Sequence, residues 1–195
     1  MKKLNKYQLT KISKNLDYYF DSATGDDMKH GLNWYNEAHE ICKDIAQKYN
    51  SNTLTVAQVM SALSPRNKWE QNIKDTKKVF QAIKEGLGPE SIRVCTFHSN
   101  KFKAYNIINS NTVITDKSLK TYNFVYNMGV LSPEHLTVDI WHLRACFRKS
   151  IKIDSANIGR LAYEQIKSLT IKKANKIGLT GYQYQAVIWS AIRNN

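Results

Sequence analysis

The sequence predicts an all-α fold, on three observations. Apolar side chains recur at steps of three and four residues along most of the chain, no window sustains the two-residue alternation of half-buried strands, and capping patterns precede several apolar runs. With 195 residues, 42% of them apolar or aromatic, the chain can bury one sizeable core and a second small lobe. Only three prolines and eight glycines occur, and no repeat or Pro/Ser-rich linker marks a domain boundary.

Taken in order, the elements read as follows. Over 31–50, Leu32, Tyr35, Ala38, His39, Cys42, Ile45, Ala46 and Tyr49 share a helix face, with His39 as a satisfied core histidine. Thr55-Val56-Ala57-Gln58 has the form of a capping box opening a short apolar helix to Leu63, which Pro65 stops. Trp69, Ile73, Thr76, Val79, Phe80 and Ile83 predict a helix over 67–85, ended by Gly86 and Gly88. Shorter helices are expected over 99–109 after a Ser99 cap, and over 119–128, 138–149, 155–168 and 171–177. Thr180-Gly181-Tyr182-Gln183, a second capping-box pattern, introduces the last at 181–193.

The charge balance of 29 Lys and Arg against 16 Asp and Glu, a net +13, favours phosphate polyanions or acidic membrane surfaces as partners. The surplus is uneven: residues 1–50 carry 8 basic and 7 acidic groups, and residues 51–195 carry 21 and 9. No stretch approaches the roughly 20 apolar residues of a membrane span, and no apolar run follows the basic start, so a soluble, cytoplasmic protein without a membrane partner is expected. Cys42, Cys95 and Cys146 are too few and too widely spaced for a disulfide framework or a zinc ribbon, and no histidine spacing suggests a metal. Phosphate-binding P-loop, nucleophile-elbow and zinc-protease motifs are all missing.

Two residues carry the sharpest chemical signal. Lys120 and Asp139 lie 19 positions apart, each at an expected helix start, separated by one short helix and a turn at Gly129 and Pro133. A helix start favours a carboxylate and a neutral amine, so the pair reads as a stabilising anion and a nucleophile. Asp139 lies between Val138 and Ile140, and a partly buried carboxylate needs a reason. The plain alternatives are a solvated lysine and an N-cap aspartate.

Here the sequence resembles the helix-hairpin-helix base-excision DNA glycosylases, the superfamily of endonuclease III and the adenine glycosylases. Lys120-Thr121 and Val138-Asp139 fall on the family's hairpin and on its aspartate motif. Val59-Met60-Ser61-Ala62-Leu63-Ser64 resembles its apolar helix ending in a pocket residue, and the run from Phe97 to Ala104, with Lys101 and Lys103, resembles the segment before the hairpin. About 55–150 can be aligned. Two departures stand out: Asp116 and Ser118 occupy the hairpin's glycine positions, and the four-cysteine cluster is missing.

The resemblance implies a two-lobed helical bundle, one lobe over about 50–135 and the other from about 1–49 plus 136–195. It implies a monomer that acts on double-stranded DNA without a cofactor, flipping a damaged or modified base into a pocket. Asp139 then stabilises the cationic sugar, and Lys120 attacks C1′ to add lyase activity. Ser64, Arg66, Asn67, Trp69, Asn72, Trp141 and His142 are the implied pocket residues. Lys101, Lys103, Ser118, Thr121, Arg144, Arg148 and Lys149 are the implied contacts to the DNA backbone. A packing role competes for each, strongest for Trp69, which shares helical phase with Ile73. Residues 141–178 hold nine basic groups against Asp154 and Glu164, where a backbone would pass. A non-catalytic DNA-binding module, or an enzyme remodelling a modified base or nucleotide, fits the same scaffold.

Overall fold

The computed structural model describes residues 3–148 and 158–194, and among these residues the fold is all-α, with nine α-helices and no strand. They are α1 (Lys6–Asp21), α2 (Gly25–Lys48), α3 (Thr53–Leu63), α4 (Trp69–Lys84), α5 (His98–Asn109), α6 (Leu119–Val130), α7 (Ile140–Phe147), α8 (Arg160–Lys176) and α9 (Gly181–Asn194). They form two compact units: unit 1 comprises Met1–Asn36 and Ser132–Asn195, and unit 2 comprises Glu37–Leu131. The breaks therefore fall inside α2 and just after α6, compared with the positions near 50 and 135 expected from the sequence.

Several helix starts differ from expectation, each for a local reason. Helix α1 is not among the expected elements, although Asn5 and Gln8 form a reciprocal capping box at its start. Helix α3 begins two residues before Thr55, because Asn52 Oδ1 accepts the Thr55 N–H at 2.8 Å; Gln58 instead accepts from Ile114 N at 2.9 Å. Ser99 lies inside α5, whose N-cap is Phe97 without a side-chain bond. The two expected pieces about Thr170 are one helix, α8, since the Thr170 hydroxyl bonds the Ile166 carbonyl at 2.9 Å and leaves the backbone ladder intact. The Thr180–Gln183 box does cap α9: the two side chains exchange bonds with each other's backbone N–H at 3.3 and 3.1 Å.

In unit 2, α3 is the centre. All eight residues from Val56 to Leu63 are buried, as an apolar helix surrounded by α4, α5 and α6 must be. Gly129 lets α6 approach α3 closely: a methyl group at this position would meet Leu54 Cδ1 at 3.0 Å and Ala57 Cβ at 3.2 Å. His39 is half-buried, its Nδ1 donating to the Met128 carbonyl at 2.7 Å.

In unit 1, the core joins Ile12 and Leu16 of α1, Leu143 of α7, Ile166 of α8 and Ile188 of α9, all almost fully buried. Gly31 of α2 sits against α9 so tightly that a Cβ would stand 2.5 Å from the Val187 backbone. Polar ties close the unit: Gln165 brackets the Leu4 backbone through both N–H and C=O, and Asn15 Nδ2 donates to the Cys146 carbonyl at 2.8 Å.

Candidate functional site

Asp139 is the N-cap of α7, its Oδ1 accepting the His142 N–H at 2.8 Å. The backbone before it is held from behind by Tyr163, whose hydroxyl accepts from Val138 N at 3.0 Å and donates to the Leu136 carbonyl at 2.9 Å. Val138 is buried and Asp139 half-buried. Tyr35 lies deep in the same unit, its hydroxyl donating to Gln185 Oε1 at 3.2 Å. Burial pushes its phenol well above the usual tyrosine range, the negative Asp139 adds to this, and a hydrogen bond with Thr137 opposes it.

The residues after Asp139 divide by helical phase. His142, expected in the pocket, is instead a core residue, 1% exposed. Three residues past the cap, it turns inward with Leu143 and Cys146, and its Nε2 lies 3.0 Å from the Thr170 hydroxyl. Since that hydroxyl donates to Ile166, it accepts from His142 Nε2–H. The ring is then neutral with Nδ1 as a bare acceptor, and Nδ1 has no partner. Burial pushes its pKa down to about 4. Trp141 faces the other way, half-exposed, with the Arg144 guanidinium 4.3 Å above its ring. Arg148 is exposed as the C-cap of α7 with a positive φ of 51°, its guanidinium 4.2 Å from the Tyr18 ring and 5.9 Å from Tyr19. Lys149 lies outside the described residues.

On α8, Lys173 pairs with Asp17 at 2.6 Å and Lys167 with Glu164 at 3.7 Å, so part of the basic run is neutralised within unit 1. Lys167, Lys172 and Lys176 line one open groove on this helix, and Lys3, Lys6 and Lys14 rim another between α1 and α8.

Lys120 belongs to unit 2, half-buried in the first turn of α6 after a 3-10 turn over Asp116–Ser118. Thr121 is held at both ends: its hydroxyl donates to the Ser118 carbonyl at 3.1 Å, and its carbonyl accepts from Ser61 Oγ at 2.8 Å. Neither Asp116 nor Ser118 has a positive φ, so the turn closes without the glycines that the family pattern has there.

The corner between α3 and α4 holds the other expected pocket residues. Ser64 back-bonds to the Ser61 carbonyl at 2.9 Å. Arg66 is exposed at φ 58°, its guanidinium 5.2 Å from Phe97. Asn67 Nδ2 donates to Asp75 Oδ2 at 3.1 Å, and Trp69 is half-buried as the first residue of α4. Two expected contacts prove to be internal. Asn72 is 2% exposed, and its Nδ2 donates to the Met60 carbonyl at 3.0 Å, tying α4 to α3 instead of facing a base. Lys101 is 6% exposed and its Nζ donates to the Ile92 carbonyl at 3.1 Å, so it anchors a loop rather than a phosphate. Lys103 remains half-exposed on α5.

Asp75, missed in the sequence, organises this corner. Fully buried, it accepts from Asn67, Gln71 Nε2 (2.8 Å), Cys95 N (2.7 Å) and Lys78 Nζ (3.3 Å). Its position one residue before Thr76, on the face shared with Val79, is the available signal: a carboxylate on an apolar stripe needs several donors. Asn67 Oδ1, Asn72 Oδ1 and Thr76 Oγ1 around it are buried without partners.

The structure thus brings Asp139, Trp141, Arg144 and Arg148 together in unit 1, and Ser64, Arg66, Asn67 and Trp69 in unit 2, with Lys120 in unit 2 at the start of α6. No helix among the described residues is long and apolar enough to cross a membrane. No curated protein and no solved structure matches the chain. One family profile matches residues 1–195, end to end, and the chain accordingly belongs to that family, the family of unknown function DUF7178.

Proposed function

We propose that this chain is a DNA N-glycosylase that excises a damaged or modified base, with Asp139 as the carboxylate that stabilises positive charge on the sugar as the glycosidic bond breaks. The observation that carries this reading is Asp139 itself: a half-buried carboxylate fixed at the head of α7, a helix that bears Trp141 and Arg144 and ends at Arg148. Its capping bond fixes the side chain, and a preorganised anion needs no rearrangement as charge develops. The net charge of +13 supplies the attraction for a polyanion. Lys120, at the start of α6, is the amine. Its neutral nitrogen forms a bond to C1′ as the base departs with the glycosidic electron pair; the nitrogen gives up a proton, the C1′–O4′ bond opens with O4′ taking up a proton to leave an iminium, and loss of a C2′ proton then expels the 3′ phosphate by β-elimination.

The test is base release from duplexes carrying uracil, oxidised purines, alkylated purines or bulky pyrimidines, together with borohydride trapping. Asp139→Asn keeps a capping oxygen and removes the charge, so base release is expected to fall by about 10²- to 10⁴-fold with folding retained. Lys120→Gln is expected to abolish trapping and nicking while part of the base release persists. If both variants match the wild type, the assignment fails. If the wild type binds DNA and releases no base, Asp139 is a helix cap and the protein is a non-catalytic DNA-binding module.

A further inference from the structure

Trp141 and Arg144 are spaced by three residues and share one face of α7, Arg148 follows as the residue that caps its end, and each of the two arginines rests on an aromatic ring. The first platform is Trp141 under Arg144, at 4.3 Å. The second is Tyr18 under Arg148, at 4.2 Å, with Tyr19 edge-on to Tyr18 at 5.2 Å between centroids. Tyr18 is 55% exposed, a large aromatic left open on α1. Arg148 reaches it with a positive φ that a non-glycine residue adopts at a cost, and such strain gathers at functional positions. Asn15 holds α1 to the end of α7 through the Cys146 carbonyl, which sets the Tyr18 side of the pair. Arg148 follows Trp141 by seven positions along α7 and its cap, about 10 Å of rise from one Cα to the other. A strand of stacked nucleotides rises about 3.4 Å per step, so that distance spans about three steps.

From this we infer that the α7 face of unit 1 is a track for single-stranded DNA, on which bases stack against the Trp141–Arg144 and Tyr18–Arg148 platforms. The inference rests on the reading of DNA as partner and sharpens it: the strand is engaged by its bases in unpaired form, beginning beside Asp139. A guanidinium lying flat on a ring presents a planar cation for a base to stack on, while its N–H edge stays in plane to meet phosphate. Lysine at the same positions keeps the charge and loses the plane. The track binds with little sequence preference, because every base offers a π-face.

Three 12-mers labelled with fluorescein test this by anisotropy at one salt concentration: oligothymidine, an abasic tetrahydrofuran chain of equal charge, and a duplex. The full-length protein is expected to bind oligothymidine at least about tenfold tighter than the abasic chain. Tyr18→Ala, Arg144→Lys and Arg148→Lys are each expected to weaken oligothymidine binding by about 5- to 20-fold and abasic binding by less than about threefold. Arg193→Lys is the matched control, since that guanidinium rests 4.5 Å over Trp189 on a different helix, α9, and it is expected to change neither. Equal affinity for oligothymidine and the abasic chain overturns the track, as does tighter binding of the duplex than of oligothymidine, or an equal loss in the Arg193 control. Base release by the wild type is scored in parallel. Stacking without base release leaves the track standing and removes the glycosylase reading, whereas base release without stacking does the reverse.

Discussion

His142 and Asp139 show how one short helix assigns opposite fates to neighbouring polar residues. Both are candidates from sequence alone, but Asp139 is the cap outside α7, whereas His142 lies on the buried side of the helix with Leu143 and Cys146, where its ring is held neutral. Its pKa is about 4 in the folded protein against 6.5 when exposed, so the unfolded chain takes up a proton that the folded chain refuses. The resulting stability is complete above pH 6.5, declines as pH falls and is gone below about 4; over that interval it amounts to about 3 kcal/mol, at about 1.4 kcal/mol per pH unit. Melting temperatures of the wild type and His142→Gln, compared from pH 7 to 5, are expected to converge as pH falls, because only the wild type carries this dependence. Parallel curves would mean that His142 takes up its proton in the fold as readily as in the unfolded chain. Asp139 is legible in the sequence because its flanks, Val138 and Ile140, are apolar. Asp75 is not, because one carboxylate on a long charged helix resembles a solvated one until its donors from Asn67 and Cys95 are placed around it.

Periodicity locates most helix interiors and fails mainly at their starts, which depend on single side-chain bonds. Helix α1 escapes it although Leu9, Ile12 and Leu16 repeat at helical steps, because Asn5 at its cap is a less conspicuous signal than Thr180 at α9. Close approaches between helices are not readable either, since a glycine inside a helix looks like a weak residue until its neighbour is known. Gly31 and Gly129 provide the contrast. A Cβ at Gly31 meets the α9 backbone at 2.5 Å, where only movement of a whole helix gives relief, whereas at Gly129 it meets side-chain atoms at 3.0 and 3.2 Å. Gly31→Ala is expected to cost about 3 kcal/mol or more and Gly129→Ala about 1 kcal/mol, offset in part by the better helix propensity of alanine. Urea unfolding of the two variants checks the order, and a smaller loss at Gly31 would mean that α2 and α9 are not seated backbone to backbone.

For the molecule as a whole, charge is the most legible property, and its placement is the part that only the structure supplies. Lys101, Lys167 and Lys173 are engaged internally, while Arg144 and Arg148 stay on the surface of unit 1. Affinity for duplex DNA is expected to be sequence-tolerant, with log K falling against log salt at a slope near −4 to −5 for about five phosphate contacts, measured by anisotropy between low and physiological salt. A slope near zero would exclude nucleic acid as the main partner. The division into units carries a consequence in time. Unit 2 is one unbroken stretch, complete once residue 131 has been made, whereas unit 1 draws on both 1–36 and 132–195. The ties of α1 and of Leu4 just before it run to residues 131 and 161 positions later in the chain, Cys146 and Gln165. At roughly 5 to 20 residues per second on the ribosome, α1 waits on the order of ten seconds for those partners. During that interval the finished unit 2 can already fold, while Ile12 and Leu16 remain an open apolar stripe, which makes the nascent N-terminal helix the segment that a chaperone would grip.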